Sequence, residues 1–368
     1  MVAPRPGFEP GTCPLGGGRA IQLCHRGKRT PFWHSILSPP DQSNNVMKAV
    51  LCERLDGFES LVYRDIDEPG DPNETQIKVA IKARGVSFTD ILTTKGEYQT
   101  KTELPFPVGG EGAGLVTTIG SQVKNFKPGD RVLVPGGCVE QVLVDSQQAT
   151  LLPSNVDLDS AASFRSNYLT ALVALQRAQL EAGETLLVHG AAGGVGLAAV
   201  DLGKLMGARV IATASSDEKL KVVGSLGANH LLNYSEGGFR QKVKDLTEGK
   251  GADVIYDPVG GEVFEESMRC IAPFGRILIV GFTSGKPALA KTNHLLVKDA
   301  QIIGFTIGGF KKHAPEKAKR NESTLMDWLE SKRIHPYISH RFPLKETVDA
   351  LRLITQRKVI GKVLVTND

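Results

Sequence analysis

Residues Thr185–Val200 read TLLVHGAAGGVGLAAV, an apolar strand that breaks into a glycine-rich turn and resumes as a helix. This arrangement builds a dinucleotide site. Gly193 and Gly194 let the backbone approach a pyrophosphate, Gly196 lets the helix lie close to the strand, and the free N–H groups of the first helical turn receive the phosphate charge. Ala191, Ala192, Gly193, Gly194, Val195 and Gly196 are therefore assigned to the cofactor. An amphipathic run over residues 197–206 and a second apolar strand, Ala208–Thr213, complete a βαβ unit. That context separates the motif from a tight turn that binds nothing.

The residue about 20 positions past such glycines is usually an acid that takes the ribose 2′-hydroxyl of NAD. Here the second strand ends at Ala214, followed by Ser215, Ser216 and Lys219. Hydroxyls and an ammonium suit a 2′-phosphate, and no carboxylate repels it, so NADPH is the expected cofactor. Asp217 and Glu218 read as the solvated first turn of the next helix, where acids complement the dipole.

The 368 residues exceed one ordinary domain and suffice for two cores. Net charge is +4, of which residues 1–46 supply most through Arg5, Arg19, Arg26, Lys28 and Arg29 against Glu9 and Asp41. The near-neutral remainder argues against a nucleic-acid partner. Five scattered cysteines without a CxxC pair oppose a disulfide framework. No apolar run is long enough to span a membrane, and a cytoplasmic location is expected.

Residues 1–46 hold seven of the 20 prolines and no sustained periodicity, so a disordered leader is expected. Arg5–Pro10 resembles a translated T-arm of a transfer-RNA gene, and Met47–Cys52 reads as a natural first strand. Translation from Met47 is one reading; an organellar targeting leader is the other. From Met47 to about Ser163 short strands and turns predominate: Glu74–Ala83, Gly112–Ile119 and Arg131–Pro135, with turns at Pro69–Pro72 and Lys127–Asp130. A helix is expected from Tyr168 to Leu180. β and α segments then alternate through residues 226–233, Ala252–Asp257, Gly275–Gly281 and Gln301–Phe305, which specifies a doubly wound parallel sheet. Helices near Ser323–Ser331 and Leu344–Gln356 precede a last strand, Gly361–Val365, expected to return to the β-rich domain.

With these pieces in order, the chain from Met47 onward resembles the medium-chain dehydrogenase/reductase superfamily and, within it, the zinc-free NADPH:quinone oxidoreductase group. The resemblance rests on GVSFTDIL at Gly85–Leu92, KGEY at Lys95–Tyr98, PVGGEGAG at Pro107–Gly114, KPGDR at Lys127–Arg131, the glycine fingerprint, NYS at Asn233–Ser235 and GKV at Gly361–Val363. It implies an α/β protein: a GroES-like β-barrel over residues 47–167, a Rossmann domain over 168–305, and a C-terminal part, 306–368, returning to the barrel. Zinc-dependent relatives place a cysteine where this chain has Ser87 and a histidine where it has Gly110. Zinc needs three firm ligands and an open position, and none is assembled. Glu111 remains, with a structural role expected.

The resemblance further places Lys219, Tyr234 and Arg357 at the 2′-phosphate, Gly281 and Phe282 beside the nicotinamide, and Ser87, Asp90 and Tyr98 in the substrate cleft. Ser87 stands where the group usually has asparagine. Asp90 is equally readable as a helix-capping or barrel-bracing carboxylate, Tyr98 as an aromatic closing a loop, and His189 as a packed, hydrogen-bonded residue. The first functional expectation is NADPH-dependent reduction of a quinone, which needs no dedicated acid because solvent protonates the oxygens. The alternative is reduction of an activated alkene, an enone or enoyl thioester, with Tyr98 as donor; a third is a cofactor-binding protein without turnover. A homodimer through the apolar edge at residues 301–309 is expected.

Overall fold

The structure, a computed structural model, describes residues 45–367. The leader expected over residues 1–46 lies outside them except for Asn45 and Val46. The first half comprises β1 (Val46–Cys52), β2 (Val62–Asp67), β3 (Gln76–Val86), α1 (Phe88–Thr94), β4 (Phe106–Pro107), β5 (Glu111–Ile119), β6 (Arg131–Val134), β7 (Gln141–Asp145) and β8 (Thr150–Leu151). Alternate residues of β1, β3 and β5, among them Ala49, Leu51, Ile77, Val79, Ile81 and Val116, share one core, as the two-residue pleat period requires.

The helix expected from Tyr168 begins ten residues earlier, as α2 (Leu158–Arg177). Asp157 caps it by accepting from Ser160 N at 2.8 Å. Its buried residues lie on every side, because α2 packs against β3, β5 and β6 of the barrel as well as against the helices of the second half. The boundary expected between residues 167 and 168 thus falls inside one continuous helix.

The second half alternates β9 (Thr185–Val188), α3 (Gly194–Leu205), β10 (Arg209–Ala214), α4 (Asp217–Ser225), β11 (His230–Asn233), α5 (Phe239–Leu246), β12 (Ala252–Asp257), α6 (Gly261–Cys270), β13 (Ile271–Ile279), α7 (Thr292–Lys298) and β14 (Gln301–Gly304). All pairings are parallel, in the order β11-β10-β9-β12-β13-β14. This is a Rossmann-type sheet. β9 and β12 are buried at every residue, as expected of strands covered on both faces. The order reverses between β9 and β12, where the crevice outside the strand ends is the preferred ligand position in open α/β sheets.

The tail comprises α8 (Ile307–His313), α9 (Pro315–Glu330), β15 (Ile338–Pro343), α10 (Thr347–Thr355) and β16 (Lys362–Thr366). α9 starts eight residues before the expected Ser323, with Pro315 in its first turn. Leu325, Met326 and Leu329 of α9 join a core shared by Val188 and Val200 with Ala83, Ala113 and Leu133 of the barrel, before the chain returns to the barrel sheet itself. The return is made from Ile338: β16 pairs antiparallel with β3, and β15 lies parallel to β16. β3 holds β5 along its length, β7 against its first half and β16 against its last residues, which wraps the larger sheet into the expected GroES-like arrangement.

Candidate active site

β9 ends in the turn His189–Gly193, and Gly193 caps α3. Gly190 takes φ +53°, where glycine carries no steric cost. A Cβ on Gly196 would lie 2.3 Å from Gly190 O, so the helix sits directly on the turn. Gly193 would meet only Gly190 O, at 3.4 Å, and faces open space suited to an approaching phosphate. Gly194 is glycine for another reason: a Cβ there would lie 2.5 Å from the Asn167 amide of α2. Sequence reasoning missed Asn167, which sits 27 positions upstream without a motif to mark it. Ala191 and Ala192 are buried and Val195 half-buried; Ala192 O accepts from Gly361 N at 2.8 Å.

At the end of β10, Ser215 and Lys219 lie together against the Arg357 main chain. The Lys219 ammonium donates to Ser215 Oγ at 3.2 Å and to the main-chain oxygen of Arg357 at 2.5 Å. Burial, and then the neighbouring Arg357 charge, lower the Lys219 pKa. Ala214 stands opposite Asn233 in the β10–β11 register, so Ser215 and Tyr234 leave adjacent strand ends together. Asp217 accepts from Asn233 Nδ2 at 2.9 Å and lies in the first turn of α4.

At the switch point, Asp257 Oδ1 accepts from Val259 N and Gly260 N at 2.7 and 3.0 Å, fixing the turn after β12. Gly281 lies against Pro258 O, and Phe282, 40% exposed, against Gly260. His189 is fully buried. Ser267 Oγ donates to Val263 O and so accepts from His189 Nε2, at 2.8 Å, while Thr213 Oγ1 lies 3.0 Å from Nδ1. Burial lowers the imidazole pKa to about 4. His189 is thus packed and hydrogen-bonded through both ring nitrogens.

On the barrel side, Ser87 caps α1 and Asp90 returns the contact, accepting from Ser87 N at 2.7 Å and from Ser87 Oγ at 3.1 Å. The Asp90 carboxylate is therefore committed to a capping box. Burial raises its pKa, against the opposing pull of Lys362 and of the Ser87 hydrogen bonds. Tyr98 is half-buried; burial, then the Asp90 charge, raise its pKa. Its hydroxyl has no hydrogen-bond partner among the described residues.

Glu111 has the structural role expected of it. Its Oε1 accepts from Lys362 Nζ at 2.8 Å and its Oε2 from Ser166 N at 3.0 Å, with both charged side chains 4% exposed. Gly85 makes room: a Cβ there would fall 2.4 Å from Lys362 Cε and 2.9 Å from Glu111 Oε1. Lys362 stands in the GKV segment, but nothing in the sequence tied it to a partner 251 positions away. The two halves of the site meet at consecutive residues, since Gly361 touches the glycine turn and Lys362 the barrel carboxylates. Among the described residues no group of three or more His, Cys, Asp and Glu side chains is placed to hold a metal.

The family model of the alcohol dehydrogenase GroES-like domain matches residues 73–160, and that of the zinc-binding dehydrogenase matches residues 194–330. The quinone oxidoreductase-like protein 2 homolog of Nematostella vectensis is 38% identical over 325 residues, covering 86% of this chain and 88% of the relative. The chain belongs to the quinone oxidoreductase group of the medium-chain dehydrogenase/reductase superfamily. Within that group, the quinone oxidoreductase of Pseudomonas aeruginosa is 33% identical, covering 84% of this chain and 96% of the relative. The crystal structure of Escherichia coli quinone oxidoreductase complexed with NADPH superposes with a TM-score of 0.78 at 29% identity, covering 87% of this chain and 99% of the other. The zinc-binding label attaches to the family model; the residues that model matches form most of the dinucleotide half.

Proposed function

We propose that this chain is an NADPH-dependent oxidoreductase that reduces a quinone without a metal. The observation that carries the reading is the cluster at the end of β10, where Lys219 donates to Ser215 Oγ and to the Arg357 carbonyl while Tyr234 follows the adjacent strand end. The cluster fits a 2′-phosphate: an ammonium has three donors, two are held by Ser215 and Arg357, and the third is left for an anion. The Cβ-free surface at Gly193 and the unpaired N–H groups opening α3 fit a pyrophosphate. NADPH supplies, when bound, the hydride; a quinone that gains hydride and one proton from water becomes the hydroquinone.

The chain's own residues bind, orient and exclude water. Gly281 and Phe282 border the position for the reacting ring, and Ser87 and Tyr98 face the substrate side of the barrel. Asp90 is committed to capping rather than presented as an acid, which suits a reaction whose product oxygens solvent can protonate. The donor set does not fit zinc, since Glu111 is occupied by Lys362 and Ser166 while Ser87 and Gly110 offer no firm ligands. Reduction of an activated alkene is the second reading, favoured by the partnerless Tyr98 hydroxyl.

The full chain assayed with NADPH and NADH against a panel of quinones and enones tests the reading. NADPH and quinones should be preferred, chelators should leave the rate unchanged, and Lys219→Ala should erase most of the cofactor preference. Tyr98→Phe should change the quinone rate only a few-fold; a loss of roughly 100-fold or more, typical of a missing general acid, with cofactor binding intact, would establish the alkene reading. Equal affinities for the two cofactors in the parent protein would refute the NADPH assignment. A homodimer is also proposed: β14 closes the sheet, and Leu289, Leu296 and Val297 are 74–80% exposed nearby in sequence. None of the described helices is long and apolar enough to cross a membrane.

A further inference from the structure

α10 ends in a full Schellman motif: Lys358 N donates to Leu353 O and Arg357 N to Ile354 O. The position between, residue 357, must be left-handed, and glycine is its usual occupant. Here it is arginine, at φ +56°. The turn is held on its far side by Gly361 N to Ala192 O, Ile360 N to Ser339 Oγ and Lys362 Nζ to Glu111 Oε1. An arginine in a conformation that disfavours it, kept there by anchors on both sides, is strain that the surrounding structure holds in place. The consequence is local: the Arg357 carbonyl is aimed at the Lys219 ammonium.

We propose that the main-chain carbonyl of Arg357, presented by this left-handed turn, is the positioning group that sets preference for the 2′-phosphorylated cofactor. It fixes the Lys219 ammonium at the end of β10 together with Ser215 Oγ, so that the remaining N–H is already directed when the phosphate arrives. An unrestrained lysine would have to be ordered on binding, at a cost to affinity. The role is distinct from that of the Arg357 guanidinium, which acts by its charge. The proposal rests on the NADPH reading given above.

Backbone and side-chain roles separate by substitution. Arg357→Gly and Arg357→Asn both remove the guanidinium but accept the left-handed conformation; Arg357→Val removes it and disfavours that conformation. Dissociation constants for NADPH and NADH are measured on the full chain by intrinsic fluorescence, with melting temperatures alongside. The glycine and asparagine variants should keep most of the discrimination that survives loss of the guanidinium. The valine variant should lose on the order of tenfold more NADPH affinity, the size of one charge-assisted hydrogen bond, with NADH affinity unchanged in all three. If the valine variant melts too low to assay, Arg357→Ala decides, since it also removes the guanidinium and disfavours the left-handed conformation, and it must discriminate less than glycine. A valine or alanine variant with the same NADPH-to-NADH ratio as glycine would overturn the positioning role alone. A parent protein that does not discriminate would overturn the cofactor reading and the proposal with it.

Discussion

Replacing Lys362 by methionine keeps the aliphatic length of the side chain and deletes only the ammonium. Glu111 would then retain the Ser166 N–H but lose its one charged partner while 4% exposed. Removing one member of a buried pair costs about 3–5 kcal/mol, because the carboxylate left behind is desolvated without compensation. For about 320 residues unfolding near 2 cal/mol/K each, the entropy of unfolding is roughly 0.7 kcal/mol/K, so the melting temperature should fall by about 4–7 °C. Asp90 offers an internal check. Lys362 pulls its pKa down, so the substitution should push that already raised pKa further up. Adding Glu111→Gln removes the stranded charge, and the double variant should recover much of the loss, because a neutral pair has no buried ion to strand. Scanning fluorimetry and urea titration of the parent, both single variants and the double variant measure the coupling. A Lys362→Met melt within about 1 °C of the parent, or a double variant equal to the sum of the singles, would refute the reasoning.

Gly196→Ala should disrupt the turn, since its Cβ would meet backbone at 2.3 Å, and both the melting temperature and NADPH binding should fall. Gly193→Ala should melt like the parent yet bind NADPH more weakly, as its Cβ would enter only the space assigned to phosphate; equal binding would show that the phosphate lies elsewhere. His189 is neutral in the folded protein with a pKa near 4 against 6.5 when free. The unfolded chain therefore takes up a proton that the folded one refuses, and stability should fall by roughly 3 kcal/mol as pH drops from about 6.5 to 4. Urea unfolding of the parent and His189→Gln across that window checks this, the variant showing the flatter slope. Light scattering should report a dimer at micromolar concentration that Ile303→Lys dissociates; a monomeric parent would refute the edge-strand interface.

The strand–turn–helix at Thr185–Val200 and the absence of an acid at Ala214 and the two serines after it were legible because each is written within a few consecutive residues, whereas Ser87, read only into the substrate cleft, proved to cap α1 with Asp90. Local hydrogen bonding and the strand and helix periods fix such features wherever the segment sits. The same information placed the parallel sheet, whose central strands β9 and β12 are buried at every residue. It misjudged the start of α2, where Ser163, Arg165, Ser166 and Asn167 look like a loop, because helicity there is imposed by burial between two domains. It read only the second half of α9, near Ser323–Ser331, and left α8 unread. What decided the site was long-range: Lys362 against Glu111, the Arg357 carbonyl against Lys219, Asn167 against Gly194. None of these pairs follows from spacing, since desolvation and packing select partners only after the chain has brought both into one place. The sequence by itself thus determined the cofactor turn and the chemistry available at its end. Tertiary structure alone decided which charges are paired, which hydroxyl is left free, and which backbone carbonyl faces Lys219.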